Sequence, residues 1–335
     1  MKKTLYIVSF LALTSLLACS DLLVPPGTSD LNLEDFEYAW KVIGEDYPYL
    51  EFKKIDWDSV YTAFRPRAEN AQGDEFYQVL FDLLAELNDG HVYLKTEGGG
   101  KIFPSYPTPR MWKDRKAYSP FVVRKYFDHE LHLTDDKKFE YGILEGNIGY
   151  VYISEFLGTH QFSTALDFLK DTKGLIIDDR NGKGGNAEDI IRIMSRFTTS
   201  PFQPPVFYKR GEPIQWPLIQ PDGPYQYTNP VVLLINGAAF SARENFAEWI
   251  KQLPHVTAVG DTTAGGGGGI TDDMPGDYQL PSGKWIHFTT IDLRRVDGLP
   301  VENLGVLPDI QVVQTEEDIR QGRDKQLEYA IDLLK

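Results

Sequence analysis

The chain has 335 residues, of which 42% are hydrophobic and 25% are charged, and its formal net charge is −15. This composition indicates a globular protein with one large or two modest domains, and it excludes a disordered chain. The negative charge argues against a nucleic-acid partner and against a polybasic membrane-binding surface. Cys19 is the only cysteine, so no disulfide can form within the chain.

The N-terminal residues predict an export signal. Two lysines precede an apolar run that ends in small residues, which is the layout of a secretory signal peptide over residues 1–18. The run is too short for a helix that spans a bilayer. The segment from Leu16 to Cys19 resembles the lipobox of bacterial lipoproteins, which implies that Cys19 is acylated and becomes the mature N-terminus.

On that interpretation, residues 19–30 are a linker with a stiff pair of prolines, and the acyl chain tethers the domain to the bacterial cell envelope. The protein would face the periplasm or lie on the cell surface. Two alternatives stay open, namely a soluble exported protein with an incidental cysteine and an uncleaved anchor helix.

Three amphipathic helices are predicted next, because apolar residues recur every three to four positions. They cover Leu31–Asp46, Asp56–Glu69 and Asp74–Leu87. These helices predict a small helical N-terminal domain over residues 31–94. The stretch from Gly98 to Pro120 is rich in proline, glycine and aromatic residues without periodicity, which predicts a loop. Its part from Phe103 to Tyr118 is a candidate lid.

Residues 95–335 are predicted to form an α/β domain, because strand-like and helix-like patterns alternate. Short strands are expected at Phe121–Tyr126, Glu130–Thr134 and Gly149–Ser154. Strands at Tyr150–Ser154, Gly174–Asp178 and Val231–Ile235 are followed by helices at Gln161–Thr172, Ala187–Phe197 and Ala242–Gln252. Further strands at Val256–Val259, Gly276–Leu280 and Lys284–Ile291 precede a final helix at Glu317–Leu334. The apolar runs LIID and VVLLI indicate strands that are buried on both faces, in a sheet covered by helices.

Ser241 is the first candidate for chemistry, since it lies between a buried strand and a helix. There its hydroxyl is held at the positive end of a helix, where backbone N–H groups can receive an anion. That position suits a nucleophile. However, Ser241 and Glu244 also form a capping-box pattern, and by themselves these residues favour a helix cap.

Two further segments carry candidate residues. The loop from Asp178 to Gly185 exposes N–H groups that could hold phosphate or an oxyanion. It lacks the glycine spacing of nucleotide-binding loops. A plain strand-to-helix turn is the alternative. His91 is the only one of six histidines at a pivot between a helix and a strand, although a lone histidine is more often structural. His129 and His132 make a poor zinc site without a third ligand.

Six motifs occur in an order and spacing that resemble the S41 peptidases, the family of C-terminal processing proteases and tricorn-like proteases. They are LNDGHVYL, GLIIDDRNGKGG, NGAAFSARENFAEWI, VGDTTAGGG, LPSGKWIHFTT and DGLPVENLGVLPDI. The resemblance runs from about Leu31 to Val313 and implies a ClpP/crotonase-like α/β catalytic domain. The segment DYPYLEFKKIDWDSVY resembles the helical domain that precedes it in the tricorn-like branch. The chain between His91 and Gly149 is too short for the PDZ domain of processing proteases, which again favours the tricorn-like branch.

The resemblance implies roles for individual residues. Ser241 is placed at the nucleophile, His91 at the general base and Glu302 at the third member that holds the imidazole. In the processing-protease branch the base is a lysine, and Gly266 takes its place here. The tricorn-like branch can carry a serine where this chain has Gly90, so Asp89 and Glu244 stay alternatives to Glu302.

Backbone N–H groups would form the oxyanion hole. One comes from Ala242, and others come from the loop at Gly184 and Gly185. The five consecutive glycines from Gly265 to Gly269 exceed what a close backbone approach at one position requires.

The sequence thus predicts an exported, lipid-anchored serine peptidase that acts through an acyl-enzyme at Ser241, as an endopeptidase or with a preference for carboxyl termini. The resemblance implies no metal or nucleotide cofactor, and a peptide or protein substrate that binds by strand addition. A non-catalytic peptide- or ligand-binding lipoprotein on the same fold is the main alternative. A glycan hydrolase with paired carboxylates is a second one, but the 49 acidic residues are scattered without a convincing pair.

Overall fold

Three helices form the N-terminal part of the computed structural model, which describes residues 28–96 and 98–335. They are α1 Thr28–Asp46, α2 Trp57–Asn70 and α3 Glu75–Ala85, which confirms the three predicted helices to within three residues at each end. Asp56 caps α2 by accepting a hydrogen bond from the Ser59 N–H at 3.0 Å. The predicted signal peptide and Cys19 lie outside the described residues. Within the described ranges, no helix is long and apolar enough to cross a bilayer.

The remaining elements alternate between strands and helices along the chain. The strands are β1 Tyr93–Lys95, β2 Lys101–Ile102, β3 His132–Leu133, β4 Phe139–Leu144, β5 Ile148–Ile153, β6 Gly174–Asp178, β7 Phe207–Lys209, β8 Glu212–Ile214, β9 Val231–Ile235, β10 Val256–Gly260, β11 Gly268–Gly269, β12 Asp277–Gln279, β13 Trp285–His287, β14 Ile291–Leu293 and β15 Ile310–Gln311. The helices are α4 Pro109–Lys116, α5 Pro120–Arg124, α6 Phe162–Leu169, α7 Ala187–Met194, α8 Ala242–Ile250, α9 Glu316–Arg320 and α10 Lys325–Leu334.

A seven-stranded sheet forms the centre of the molecule, in the order β15-β10-β9-β6-β5-β4-β3. The strands from β15 to β5 run parallel, whereas β4 and β3 are antiparallel. Alternate side chains of β6 enter two different cores: Leu175 and Ile177 pack with α6, α7 and α8, and Ile176 packs with α10 on the opposite face. Burying such a side chain stabilises the fold by about 1.5–3 kcal/mol. The predicted α/β fold with helices over a buried sheet is confirmed.

The helical N-terminal part shares a core with a distant hairpin. A four-stranded antiparallel sheet has the order β12-β13-β1-β2, and β1 pairs with β13. Apolar side chains from α1, α2 and α3 pack against Leu94, Ile286 and Phe288 in one cluster. The boundary predicted between residues 94 and 95 therefore falls inside β1, and the hairpin β12–β13 completes the core of the helical part.

Four predicted elements differ from the structure. The segment predicted as a strand at Phe121–Tyr126 is the helix α5, because Pro120 fits the first position of a helix. The predicted loop from Gly98 to Pro120 contains β2 and α4, whose first turn is capped by Thr108. The strand predicted at Lys284–Ile291 is divided between β13 and β14. The final helix is divided into α9 and α10 by a turn at Gly322, where φ is +76°. The sequence pattern did not predict β4, β7, β8, β11 or β15.

A third sheet lies beside the carboxyl end of β9, in the order β11-β14-β7-β8. Its edge strand β11 consists of two residues of the glycine run and pairs only with β14 among the described residues. This edge faces the cavity into which the turn after β9 also points.

Candidate active site

A cavity of about 580 Å³ lies at the carboxyl end of the central sheet, where parallel α/β sheets bind their ligands. Ser241 and Ala242 line it from the start of α8, Gly185 lines it from the turn before α7, and His91 lines it from the turn before β1. The edge strand β11 closes another side. The three segments that the sequence singled out for chemistry therefore meet around one cavity.

Ser241 has an unusual backbone conformation, with φ 64° and ψ −128°. Non-glycine residues rarely adopt positive φ, and such strain costs on the order of 1–3 kcal/mol and persists only where the surroundings enforce it. Glu244 enforces it here, because its carboxylate accepts a hydrogen bond from the Ser241 N–H at 3.1 Å, while its own N–H donates to the Ser241 carbonyl at 2.8 Å. The capping pattern is thus partly realised on a residue whose backbone is strained.

Glu244 joins the serine turn to the glycine run. Its buried carboxylate also accepts hydrogen bonds from the Gly265 N–H at 2.7 Å, the Gly266 N–H at 2.8 Å and the Thr263 hydroxyl at 2.6 Å. Burial raises the pKa of Glu244 to about 7, and these donors act in the opposite direction. Because both carboxylate oxygens are engaged in this way, Glu244 does not contact the His91 ring.

The His91 ring stacks on Phe240 with the centroids 4.4 Å apart and the planes at 25°. Neither ring nitrogen has a hydrogen-bond partner within the described part of the chain, so His91 and Ser241 share the cavity without a hydrogen bond between them. Burial lowers the pKa of His91, and the Asp89 carboxylate opposes that effect. The neutral imidazole, which is the form a general base needs, is therefore favoured.

Asp89 is the carboxylate beside His91. Its Oδ1 lies 3.8 Å from the His91 Nδ1 and accepts the His91 main-chain N–H at 2.7 Å. Its Oδ2 accepts the Tyr47 hydroxyl at 3.0 Å. These contacts fix the carboxylate, which is completely buried, on the Nδ1 side of the ring.

Glu302 lies in the same polar cluster but bonds to a lysine. Its Oε1 is 2.6 Å from the Lys53 Nζ, and its Oε2 has no partner among the residues described. Burial raises the pKa of Glu302, as does the Asp89 charge, and Lys53 opposes both. Lys53 also donates to the carbonyls of Leu87 and Asn88 at 2.8 and 3.0 Å. The structure therefore ties Glu302 to Lys53 and forms no hydrogen bond between Glu302 and His91.

The candidate oxyanion donors surround Ser241. A Cβ at Gly184 would lie 3.3 Å from the Ser241 Oγ, which shows how closely this backbone approaches the hydroxyl. The N–H groups of Lys183 and Asn186 are used in hydrogen bonds to the carbonyls of Ser154 and Phe156. In the described ranges, the N–H groups of Gly184, Gly185 and Ala242 donate no hydrogen bond, so all three are available to an oxyanion.

Close packing explains the glycine run. Gly265 has φ +83°, and a Cβ at Gly266 would overlap the Phe240 ring. Side chains at Gly267 and Gly268 would overlap Val301 and Thr289. The structure therefore explains Gly265 by its backbone conformation and Gly266, Gly267 and Gly268 by steric exclusion.

The segment predicted as a candidate lid is docked against the site. Arg110 donates to the Thr263 carbonyl at 2.6 Å, and the Asp114 carboxylate accepts the Gly237 N–H at 2.6 Å. The Tyr106 ring lies 5.5 Å from Phe240. These contacts with the glycine segment and the serine turn hold α4 as a fixed wall beside the nucleophile.

Sequence reasoning missed two functional neighbours. His287 was assigned only to a strand, but it lines the cavity, stacks on Tyr93 at 4.4 Å and contacts Asp277 through its Nδ1 at 2.9 Å. For Lys53, the sequence indicated only a position in the segment that resembles the helical domain of the tricorn-like branch. Both belong to motifs that carry the family resemblance, which is the only signal in the sequence that could have pointed to them.

Large parts of this chain are similar to known peptidases. A model described as "Peptidase family S41" matches residues 147–312, and one described as "Tricorn protease C1 domain" matches residues 32–85. The tricorn protease of Thermoplasma volcanium is 26% identical over 66% of this chain. The carboxy-terminal processing protease CtpB of Bacillus subtilis is 24% identical over 75% of it. The chain spans 21% of the first relative's length and 54% of the second's.

A solved structure is similar over nearly its whole length. The crystal structure of a candidate peptidase from Parabacteroides merdae superimposes with a TM-score of 0.77 at 27% identity, and the match covers 90% of this chain and 96% of that one. The predicted fold class is therefore confirmed. The matches to family models and relatives support a serine peptidase, a hydrolase of the S41 type.

Proposed function

We infer that this chain, in which residues 147–312 match the model of peptidase family S41, hydrolyses peptide bonds through an acyl-enzyme at Ser241. One observation carries the proposal: a serine held at φ 64° between a central strand and a helix shares its cavity with a half-buried histidine whose ring nitrogens have no hydrogen-bond partner among the described residues. Strain at a non-glycine residue marks functional sites, and buried polar atoms without a partner call for an explanation, which proton transfer from Ser241 would provide.

The proposed reaction has two halves. The Ser241 Oγ attacks the scissile carbonyl carbon while the His91 Nε2 takes its proton, and the carbonyl electrons move to the oxygen. The C–N bond then breaks, and His91 returns the proton to the leaving amine. Water, activated by His91, hydrolyses the ester in the same way. The N–H groups of Ala242, Gly184 and Gly185 would stabilise the oxyanion in both halves.

Asp89 is the carboxylate that we propose orients His91. It lies 3.8 Å from the Nδ1, whereas Glu302 is held by Lys53 at 2.6 Å. A carboxylate on the Nδ1 side favours the tautomer whose Nε2 can accept the serine proton and stabilises the imidazolium. Glu302 would then support the loop before His91 through Lys53 without touching the ring.

The lining of the cavity favours apolar peptides and internal bonds. Trp216, Ile270, Ile291 and Leu293 provide apolar surface. No lysine or arginine lines the cavity among the described residues, and its single carboxylate belongs to Asp272. The terminal carboxylate of a substrate would thus meet no lysine or arginine in the cavity. Cleavage of internal peptide bonds next to apolar side chains is therefore favoured. The edge strand β11 can pair with an extended substrate.

Reaction with a fluorophosphonate probe tests the activity. The full chain should be labelled at one site, Ser241→Ala should abolish labelling, and His91→Ala should strongly reduce it, because the serine then lacks its base. Ser200→Ala, at an exposed serine, is the matched control and should label normally. A chain that never labels, at any pH, would favour the non-catalytic binding protein instead.

We also propose export and lipid anchoring, supported by the signal-like residues 1–18 and the lipobox-like segment that ends at Cys19. Cells grown with a labelled fatty acid should yield labelled protein. Cys19→Ser should abolish incorporation while leaving the peptidase able to react with the fluorophosphonate. Unlabelled wild-type protein would contradict the anchor and leave the peptidase proposal unaffected.

A further inference from the structure

Positive charge is concentrated in one segment of this acidic chain. Residues 101–125 contain seven lysines and arginines and a single acidic residue, Asp114, although the whole chain carries a formal net charge of −15. The cationic residues are Lys101, Arg110, Lys113, Arg115, Lys116, Arg124 and Lys125. The net charge alone argues against a polybasic surface, but it conceals this local excess.

Carboxylates neutralise little of this charge. In the segment, only Lys113 and Arg124 form ion pairs with carboxylates among the described residues. Lys116 instead lies over the Trp112 ring at 5.0 Å, and Arg115 donates to the Tyr106 hydroxyl at 2.7 Å. Most lysines and arginines elsewhere in the described ranges do have a carboxylate within 4.0 Å. Five of the seven cations in the segment therefore have no carboxylate within 4.0 Å in the described part of the chain.

Two aromatic side chains project among these cations. Phe121 is 74% exposed, the highest value for a large apolar side chain in the described part of the chain, and Trp112 is 56% exposed. On α4, Trp112, Lys113 and Lys116 are exposed, whereas Met111 and Asp114 are buried. Arg124 lies over the Phe121 ring on the next helix. We call Trp112, Lys113, Lys116, Phe121 and Lys125 the cationic aromatic surface.

The cationic aromatic surface is held rigidly next to the active site. Arg110 and Asp114, on the inner side of α4, are bonded to the glycine segment and to the turn before Ser241, as described above. Because the inner residues fix the helix, the exposed aromatic residues are not free to fold back into the core. The part of the surface on α4 therefore stays presented to the solvent.

We propose that the cationic aromatic surface binds a bilayer that contains anionic phospholipids. Tryptophan and phenylalanine at a surface enter the headgroup region, where the ring is partly desolvated, and lysines beside them contact lipid phosphates. This binding is independent of an acyl chain on Cys19, and it would bring the turn that carries Ser241 close to the membrane surface.

Depth-dependent fluorescence quenching tests the proposal on the full chain. Vesicles of phosphatidylcholine, with or without phosphatidylglycerol, carry doxyl-labelled lipids that quench tryptophans at the bilayer. With phosphatidylglycerol, vesicle-bound wild-type protein should show quenching that Trp112→Phe removes and that high salt suppresses. Trp285→Phe, which alters a less exposed tryptophan outside the surface, should retain it.

Charge reversal provides the matched comparison. Lys113→Glu, Lys116→Glu and Lys125→Glu together should remove the lipid-dependent quenching. The same change at Lys137, Lys170 and Lys173, which are exposed and lie outside the segment, should leave it intact. Equal quenching in both triple variants, or no Trp112-dependent quenching with anionic lipid, would overturn the proposal. Self-association in the absence of vesicles that only the first triple variant loses would assign the surface to a second copy instead.

Discussion

His91 has two carboxylates in its neighbourhood, and they differ in how far other groups neutralise them. Asp89 is bonded by neutral donors, namely the Tyr47 hydroxyl and the His91 N–H, so its charge is available to the ring. Glu302 is bonded to the Lys53 ammonium, which cancels its charge locally. We therefore propose that the Asp89 carboxylate provides the effective negative charge beside the ring, in the role that the family resemblance implies for Glu302.

The pH profile of kcat/KM distinguishes the two carboxylates. Burial lowers the pKa of His91 and Asp89 opposes this, so Asp89→Asn should lower that pKa further and move the acid limb of the profile to lower pH. On the alkaline plateau the rate should fall by about 10²- to 10⁴-fold, because the imidazole loses its orientation. Glu302→Gln should leave the limb in place and cost less than about tenfold in rate. The reverse pattern would return the role to Glu302.

Gly266 is the residue whose missing side chain matters most. A Cβ there would overlap the Phe240 ring that supports His91. Gly266→Ala should therefore lower the free energy of unfolding by about 1–3 kcal/mol, as overpacking does, and reduce labelling of Ser241. Gly98→Ala is the control, because nothing lies within 4 Å of its added carbon. Equal stability of the two variants in urea unfolding would contradict this packing.

At the scale of elements, the central strands and the helices that follow them were predictable from the sequence. Continuous apolar runs such as those of β6 and β9 are compatible with few structures other than buried strands. Because a helix pattern follows β9, the position of Ser241 at a strand-to-helix turn was also predictable. The helix α5 was misread because Phe121, Val122 and Val123 favour a strand locally, while Pro120 and the packing of Val123 against the sheet favour a helix. Lys53 could not be assigned, since its partner Glu302 lies 249 residues away.

The helix α8 is anchored by a buried ion pair. The Arg243 guanidinium, which is completely buried, lies 2.5 Å from the Asp179 carboxylate and also bonds to the Ile153 carbonyl. Arg243→Met would leave Asp179 without its counterion in the core, so the free energy of unfolding should fall by about 3–5 kcal/mol.

Arg65, on α2, forms an exposed ion pair with Glu37. Arg65→Met removes this pair and serves as the control, because the free energy of unfolding should then fall by less than about 1 kcal/mol. Unfolding in urea, followed by circular dichroism, measures both variants. If Arg243→Met lost no more stability than Arg65→Met, the buried pair would not be what holds the start of α8.

At the scale of the whole molecule, the helical N-terminal part contributes directly to the site. Tyr47, Tyr49 and Lys53 follow α1, and they bond respectively to Asp89, to the Gly267 carbonyl and to Glu302. Tyr47 fixes the Asp89 carboxylate beside His91. Tyr49 holds the glycine run, and Lys53 holds Glu302. The helical part and the sheet therefore build the candidate site together.

A double-mutant cycle measures this connection. Lys53→Met leaves Glu302 buried without its cation, and Glu302→Gln leaves Lys53 buried without its anion, so each change alone should destabilise the fold. The combined variant should be less destabilised than the sum of the two, with a coupling of about 0.5–3 kcal/mol. Strict additivity of the three unfolding free energies would show that the two side chains do not interact.

The Phe240 ring limits which side chains fit at position 266. It stacks on His91, contacts Tyr106 and occupies the space that a side chain at Gly266 would need. A lysine at position 266 would therefore require a second substitution, because the Phe240 ring occupies the space that the lysine side chain needs. Loss of Phe240 would also remove the ring on which His91 stacks. The residue before Ser241 thus links the orientation of His91 to the size of the side chain that position 266 can hold.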